Sequence, residues 1–248
     1  MILHHVLDGT GPVVLLLHST ATDARQWRPQ IRELRRDFTV VAPDLRGYGR
    51  SPLTSEPFSN AGDVVDLLDD LGVEQCALVG SSGGGGVALQ VASTIAERVT
   101  ALVLLCAAAD GVEPTDDLRA FAQRETALLQ DGDVAGATEL NADMWLQPEL
   151  DEATRELFRE MQSNAFRVQL AAGDEVHEED VDVDLGRITC PATVVSGERD
   201  LGWFRAVADH LAAELPSATR VHLPWAGHLP NLEHPEETTQ LIRRSIRP

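Results

Sequence analysis

The 248-residue chain is predicted to adopt an α/β fold, with a mostly parallel central sheet and helices on both faces. Short apolar runs alternate with segments of helical spacing, which is typical of parallel sheets. The runs are too uniformly apolar to leave one face in water, so we expect strands that are buried on both sides. Strand signals stop near residue 111 and resume near residue 192, which predicts a helical insert within the sheet.

Each element follows from its local pattern. The predicted strands cover residues 13–17, 38–42, 76–79, 102–106, 192–196 and 220–223. Apolar residues three or four positions apart predict helices at 27–34, 64–71 and 87–95. A last helix is expected to begin at Pro235, a residue that suits the first turn, and Glu236 and Glu237 follow where the helix dipole favours anions.

The insert differs from the remainder in charge. Residues 111–186 contain 20 acidic residues and five arginines, a net charge of −15, whereas the other 172 residues sum to −5. Three apolar stripes predict helices there, and residues 174–184, with seven acids, are expected to form a solvated linker. We therefore expect a core domain formed by residues 1–110 and 187–248, and a helical segment at 111–186.

Composition excludes several classes of partner. The net charge is −20 and all 20 basic residues are arginine, so neither nucleic acid nor an anionic membrane surface is expected as a partner. No apolar run reaches the roughly 18 residues of a membrane span, and the N-terminus lacks the features of a signal peptide. Three widely spaced cysteines suit buried thiols in a reducing compartment. A globular cytoplasmic protein is expected, and its oligomeric state stays open.

Residues 80–84, Gly-Ser-Ser-Gly-Gly, match Gly-x-Ser-x-Gly between a predicted strand and a predicted helix. A nucleophile on such a tight turn requires small residues two positions away on each side. Ser82 meets this condition, whereas Ser81 would place Val79 at a small site. The turn also sets Ser82 at a helix N-terminus, where developing negative charge is favoured. Ser82 is therefore the candidate nucleophile.

A serine nucleophile needs a base and a carboxylate that orients the base. Asp200 and His228 each follow a predicted strand, on the side of the sheet where ligands usually bind. Asp110 is an alternative carboxylate, while a structural role is favoured for His18 and Asp44. The remaining histidines lack metal-ligand spacing, so no metal site is expected.

With these residues in place, the sequence resembles the α/β-hydrolase superfamily over nearly its whole length. The resemblance is carried by residues 18–20 (His-Ser-Thr), 44–51 (Asp-Leu-Arg-Gly-Tyr-Gly-Arg-Ser), the Ser82 turn, and 197–200 with 227–228. It implies the α/β-hydrolase fold, an eight-stranded type of sheet with a helical cap, here residues 111–186, inserted after the sixth strand. Because the N-terminus is short, the first edge strand is expected to be missing.

The resemblance also implies site residues. By position, the backbone N–H groups of Thr20 and Gly83 would form the oxyanion hole, although Ser19 stands where many relatives have glycine. The loop at residues 19–27 is similar to that of 3-oxoadipate enol-lactonases. Four further side chains are candidates for lining the pocket, although core packing explains them equally well: Met144, Trp145, Trp203 and Phe204.

We therefore expect a serine hydrolase that cleaves a small or medium carboxylic ester or lactone through an acyl-enzyme, without a metal or organic cofactor. The pocket is expected beneath a mostly apolar cap, and the negative charge of residues 111–186 predicts neutral substrates. Serine at position 82 argues against haloalkane dehalogenase and epoxide hydrolase chemistry, which uses aspartate there in this superfamily. Enol-lactone hydrolysis, carbon–carbon bond hydrolysis, perhydrolysis, ligand binding without turnover, and a scaffold role remain open.

Overall fold

The computed structural model describes residues 3–173, 176–179 and 181–247, and its centre is a seven-stranded sheet. The strands are β1 (His5–Gly9), β2 (Val13–Leu17), β3 (Thr39–Pro43), β4 (Cys76–Ser81), β5 (Val99–Leu105), β6 (Ala192–Gly197) and β7 (Ala218–Leu223). Their order across the sheet is β1-β3-β2-β4-β5-β6-β7. Strand β1 pairs antiparallel with β3, and the other neighbouring strands pair parallel.

The helices are α1 (Arg28–Leu34), α2 (Asn60–Asp70), α3 (Gly83–Thr94), α4 (Asp116–Gln130), α5 (Val134–Trp145), α6 (Glu152–Ala172), α7 (Gly202–Glu214), α8 (Pro230–Glu233) and α9 (Pro235–Ser245). Short 3₁₀ helices cover Ala24–Trp27, Ala96–Arg98 and Leu185–Arg187. Pro235 begins α9, with Glu236 and Glu237 in the first turn, as the sequence predicts. In the described part of the chain, no helix is both long enough and apolar enough to cross a membrane.

The sheet is buried on both faces, because successive residues of each central strand enter different cores. In β2, Leu15 and Leu17 belong to the apolar cluster that includes residues of α2, α3 and α7, whereas Val14 and Leu16 belong to the cluster that includes residues of α1 and α9. All four side chains are fully buried. This arrangement confirms the predicted parallel sheet with helices on both faces and explains why its strands are continuously apolar.

Six of the seven strands match predicted apolar runs, and β1 was not predicted. Strand β1 lies at the sheet edge, where Leu7 is 54% exposed, so its sequence lacks an apolar run. Helices α4–α6 follow β5, the fifth of the seven strands. The resemblance predicts the insert after the sixth strand of an eight-stranded sheet that lacks its first edge strand. In that count, β5 is the sixth strand, so the insert follows the predicted strand.

The helical segment contains α4, α5 and α6, and its described residues form no strand apart from an isolated bridge between Phe58 and Glu178. A third apolar cluster joins these helices to the sheet-bearing part, where Phe158 and Trp145 meet Phe204 of α7. The predicted linker at 174–184 includes residues 174, 175 and 180, which lie outside the described residues. The helices therefore lie over the edge of the sheet at which the candidate nucleophile is found.

Candidate active site

Ser82 occupies the sharp turn between β4 and α3. Its backbone has φ 52° and ψ −122°, a positive φ that a non-glycine residue seldom adopts. The turn is held by three backbone hydrogen bonds: the Ser82 N–H donates to the Leu105 carbonyl at 3.0 Å, and the Ser82 carbonyl accepts from Gly85 at 2.8 Å and from Ala108 at 3.0 Å. Such backbone strain at a single residue is typical of functional sites.

The glycines around Ser82 are required by close backbone contacts. A Cβ at Gly80 would lie 2.4 Å from the Gly84 carbonyl oxygen, and a Cβ at Gly84 would lie 2.3 Å from the carbonyl oxygen of His18. Ser81, in contrast, is the last residue of β4 and is fully buried. The structure thus places Ser82, and not its neighbour, at the turn.

Hydrogen bonds join Ser82 to His228 and His228 to Asp200. The distance from His228 Nε2 to Ser82 Oγ is 2.9 Å, and the distance from His228 Nδ1 to Asp200 Oδ2 is also 2.9 Å. Because a carboxylate only accepts, Nδ1 carries the proton and Nε2 is left as the acceptor for the hydroxyl. The other carboxylate oxygen of Asp200 accepts from the N–H of Leu201 at 2.7 Å. Asp110, the alternative carboxylate, is exposed.

Burial and aromatic packing fix the imidazole ring of His228. Its side chain is 3% exposed, and that of Asp200 is 1% exposed. The ring centroid of His228 lies 4.2 Å from that of Phe204 and 4.5 Å from that of Trp145. Removal of water from this pair strengthens its electrostatic interaction.

Thr20 and Gly83 lie beside each other next to Ser82. A Cβ at Gly83 would lie 2.4 Å from Cγ2 of Thr20, which shows how closely the two segments approach. Within the described residues, the backbone N–H groups of Thr20 and Gly83 donate to no acceptor. Ser19 stabilises the loop: its N–H donates to Gln26 Oε1 at 3.0 Å, and its Oγ accepts from the N–H of Ala21 at 3.2 Å. Two free donors therefore lie near the hydroxyl of Ser82.

A cavity of about 200 Å³ adjoins Ser82 and His228. Its lining residues are Ser19, Thr20, Ala21, Tyr48, Ser82, Phe121, Glu125, Asn141, Trp145, Gln162, Phe166, Gln169 and His228. The helical segment contributes four polar side chains to this wall, so the expectation of a mostly apolar cap over the pocket is wrong. A larger open cleft of about 920 Å³ contains none of Ser82, Asp200 and His228.

Of the four residues predicted to line the pocket, only Trp145 is among the lining residues of this cavity, while Phe204 packs against His228. Met144 is partly buried and packs against the third apolar cluster. Trp203 packs on Phe204 with ring centroids 4.8 Å apart, and its Nε1–H donates to the carbonyl of Val112 at 3.0 Å. The prediction that Met144 and Trp203 line the pocket is corrected, because both side chains pack against the third apolar cluster.

Several ionisable groups near the site have shifted pKa values. Burial raises the pKa of Glu125, and it raises that of Tyr48 to about 12. Burial also raises the pKa of Glu233, whose carboxylate accepts from the N–H of Gly227 at 2.7 Å, directly before His228 in the chain. The sulfur of Cys106 approaches Asp200 and His228, but burial raises its pKa well above the usual value. A protonated thiol is a poor metal ligand.

A model of the alpha/beta hydrolase family matches residues 14–241. The chain belongs to this family. A protein of Caulobacter sp. (strain K31) named putative carbamate hydrolase RutD is 30% identical over 245 residues, covering 91% of this chain and 88% of that protein.

Two solved structures are also similar to this chain. A thermophilic esterase from Thermogutta terrifontis superimposes with a TM-score of 0.77 at 27% identity, over 98% of this chain and 92% of that one. The enol-lactonase from Burkholderia xenovorans LB400 superimposes with a TM-score of 0.79 over 98% and 96% of the two chains. Its identity of 24% establishes a shared fold and nothing more about the reaction.

Two polar residues of the motifs that carry the family resemblance, His18 and Asp44, have structural partners. His18 is fully buried; its Nε2 accepts from the N–H of Leu45 at 2.9 Å, and its Nδ1 donates to the carbonyl of Ser19 at 2.8 Å. The carboxylate of Asp44 accepts from the N–H groups of Ala24 and Arg50, both at 2.9 Å. These contacts support the structural role predicted for His18 and Asp44.

Sequence reasoning missed the polar wall of the cavity, namely Glu125, Asn141, Gln162 and Gln169. A signal for three of them exists in the sequence. Glu125 follows Phe121 by four positions on the apolar stripe of α4, and Gln162 and Gln169 lie at helical spacing from buried residues of α6. A polar residue on a buried stripe needs a partner or a ligand.

Proposed function

We propose that the protein is a serine hydrolase that cleaves a small, uncharged carboxylic ester or lactone. The observation that carries this proposal is the hydrogen-bonded chain from Ser82 Oγ through His228 to Asp200, with both distances 2.9 Å. The strained turn at Ser82 supports the same role, because it places the residue at the N-terminus of α3 and beside the cavity. Family membership supports hydrolysis as the class of reaction.

In the proposed mechanism, Ser82 Oγ attacks the substrate carbonyl carbon while His228 Nε2 takes the hydroxyl proton. Asp200 holds the ring orientation and stabilises the imidazolium that forms. The N–H groups of Thr20 and Gly83 donate to the oxyanion of the tetrahedral intermediate. Collapse of the intermediate breaks the ester bond, and His228 gives the proton to the leaving alcohol. A water molecule activated by His228 then attacks the acyl-enzyme and releases the acid.

The size and charge of the cavity support a small, neutral substrate. Its volume of about 200 Å³ lies below the roughly 300–1,000 Å³ of a typical ligand pocket. Among the described residues that line it there is no arginine, whereas Glu125 contributes a carboxyl group. A carboxylate on the substrate would therefore meet no countercharge apart from a protonated His228. We also propose that α4–α6 act as the cap that covers this cavity.

A second candidate is hydrolysis of a carbamate, in which the same serine attacks a carbonyl bonded to nitrogen and oxygen. Similarity over 91% of this chain to a protein named putative carbamate hydrolase favours it. Enol-lactone hydrolysis, carbon–carbon bond hydrolysis, perhydrolysis and binding without turnover use the same fold and are distinguished by their products.

The experiment is a panel of neutral short-chain esters, lactones and carbamates, with product formation measured for the wild type and for Ser82→Ala. We expect turnover of at least one neutral ester or lactone by the wild type and none by the variant. For matched neutral and anionic esters, the neutral ester should have the higher kcat/KM. Turnover confined to carbamates would favour the second candidate, and equal activity of Ser82→Ala would refute the serine mechanism.

A further inference from the structure

The wall of the cavity contains hydrogen-bonding groups that the proposed reaction does not use. Glu125 projects from α4, and Gln162 and Gln169 project from α6, into the same cavity that contains Ser82. None of them forms a hydrogen bond with Ser82, His228 or Asp200 in the described structure. Polar side chains at a cavity wall, near a nucleophile but outside its hydrogen-bonded chain, are suited to substrate recognition.

Asn141 determines which atoms Glu125 presents to the cavity. The indole Nε1–H of Trp145 donates to Asn141 Oδ1 at 2.8 Å, and an indole nitrogen only donates. The amide of Asn141 is therefore fixed with Nδ2 toward Glu125, and Nδ2–H donates to Glu125 Oε1 at 2.6 Å. No described residue donates to Glu125 Oε2. One carboxylate oxygen thus stays available as an acceptor at the cavity.

Gln162 is a buried amide with an unmet hydrogen bond. The residue is 3% exposed, and its Oε1 has no hydrogen-bond partner in the described structure. A buried polar atom without a partner is costly, and buried side-chain polar atoms are usually paired. Because rotation of the carboxamide exchanges its oxygen and nitrogen, Gln162 can offer either a donor or an acceptor to a bound molecule.

We propose that the substrate carries an uncharged primary amide group, whose N–H donates to Glu125 Oε2 and whose remaining hydrogen bonds pair with the carboxamide of Gln162. This inference rests on the proposed function and specifies the group that the cavity recognises. A carboxylate in that place would face Glu125, and an alkyl group would leave Gln162 unpaired. An ammonium group could donate to Glu125 Oε2, but it carries no acceptor, so it would leave the N–H groups of the Gln162 carboxamide without a partner.

The test compares ethyl esters that differ at the end of the acyl chain. Ethyl succinamate, ethyl hydrogen succinate and ethyl 4-methylpentanoate present an amide, a carboxylate and an isopropyl group, and ethyl 3-aminopropanoate presents an ammonium group. We expect kcat/KM of the wild type for the succinamate to exceed that for each of the others by about tenfold or more, since two buried hydrogen bonds are gained. Equal or higher kcat/KM for any of the others would overturn the inference.

Two substitutions test whether Glu125 and Gln162 recognise the amide group of the substrate. Glu125→Gln keeps the size of the side chain and its bond from Asn141, but it replaces the free acceptor by a donor. Gln162→Met removes the carboxamide at similar length. Both substitutions should reduce the preference for the amide toward unity. Glu113→Gln removes the same charge from an exposed position in the helical segment and should leave the preference unchanged. A preference that survives in both Glu125→Gln and Gln162→Met would overturn the inference.

Binding to Ser82→Ala separates this inference from the proposed function. The variant is titrated with ethyl succinamate and with ethyl 4-methylpentanoate, and the dissociation constants are measured by NMR. Tighter binding of the succinamate, together with no hydrolysis of any ester by the wild type, would uphold the amide site and refute ester hydrolysis. Equal dissociation constants would overturn the amide site, whatever the wild type hydrolyses.

Discussion

The indole ring of Trp145 packs against the imidazole ring of His228, with ring centroids 4.5 Å apart. Trp145 is the last residue of α5, whereas His228 follows β7, so this contact joins the helical segment to the candidate base. The same indole donates to Asn141, which in turn donates to Glu125. A continuous chain of contacts therefore connects the wall of the cavity to the proposed catalytic histidine.

Asp200→Asn should lower kcat strongly and leave the fold intact. The asparagine can present an N–H to His228 Nδ1, which favours the tautomer whose Nε2 carries the proton and cannot accept from Ser82. A loss of about 10⁴-fold in kcat is the expected scale for such a change. Steady-state kinetics on an ester that the wild type hydrolyses provides the measurement, and circular dichroism checks the fold. A loss of less than about tenfold would contradict the role given to Asp200.

Gly84→Ala should destabilise the protein. The added Cβ would lie 2.3 Å from the carbonyl oxygen of His18 and 2.5 Å from that of Leu17, both of them backbone atoms that cannot move independently. We expect a loss of about 1–3 kcal/mol or more in the free energy of unfolding. Gly202→Ala is the control, since the nearest atom, Nη2 of Arg205, is 4.0 Å away. Similar denaturant midpoints for the two variants would show that the close contact is absent.

Asp63→Ala should reduce stability far more than removal of an exposed acid. The guanidinium of Arg46 donates to both carboxylate oxygens of Asp63, at 2.6 and 2.7 Å, and both side chains are 6% exposed. Loss of one partner leaves a buried, unpaired charge, at a cost of about 3–5 kcal/mol.

The matched control for this ion pair is Asp69→Ala, on the same helix. Asp69 pairs with Arg98 at 2.7 Å, but its side chain is 59% exposed, so its loss should cost less than about 1 kcal/mol. Urea unfolding measures both free energies. If Asp69→Ala proved as damaging as Asp63→Ala, burial would not govern the strength of these pairs.

Glu125→Gln should become more stabilising, relative to the wild type, as the pH rises. Burial raises the pKa of Glu125 in the folded state, so the folded protein binds this proton more tightly than the unfolded chain does. The stability contributed by this group is fully present below its unfolded pKa, about 4.3, and is lost as pH rises through the raised folded value. The glutamine of the variant does not titrate, so the variant does not lose this stability as the pH rises. The difference in Tm, variant minus wild type, should therefore increase from pH 4 to pH 7, and a constant or decreasing difference would refute the burial of this carboxyl group.

Much of the fold could be predicted because its central strands are buried on both faces. Their continuous apolar runs stand out from the helical spacing around them, as in Val13–Leu17. Strand β1 escaped because an edge strand needs no such run: Val6 and Leu7 are both exposed, and Asp8 lies in the same strand. Its pairing with β3 arises from tertiary structure and leaves little trace in local sequence.

The part of the candidate site that could be predicted consists of residues directly after the carboxyl ends of strands. Ser82, Asp200 and His228 each follow a strand whose position could be predicted, and parallel strands bring their carboxyl ends to one edge of the sheet. The residues of the cavity wall could not be predicted, because the packing of α4 and α6 over that edge of the sheet depends on contacts between residues distant in sequence. Glu125 and Gln162 nevertheless interrupt apolar stripes, which is a usable sign that a buried helix face meets something polar.

The most direct measurement is labelling with a fluorophosphonate probe, followed by mass spectrometry of the modified peptide. An activated serine forms a stable adduct with this reagent, and activation of Ser82 depends on the hydrogen bond between its Oγ and His228 Nε2, 2.9 Å long. We predict an adduct on Ser82 in the wild type and a sharply slower reaction in His228→Ala. Absence of an adduct on a folded protein, or equal labelling of His228→Ala, would contradict the proposed serine hydrolase.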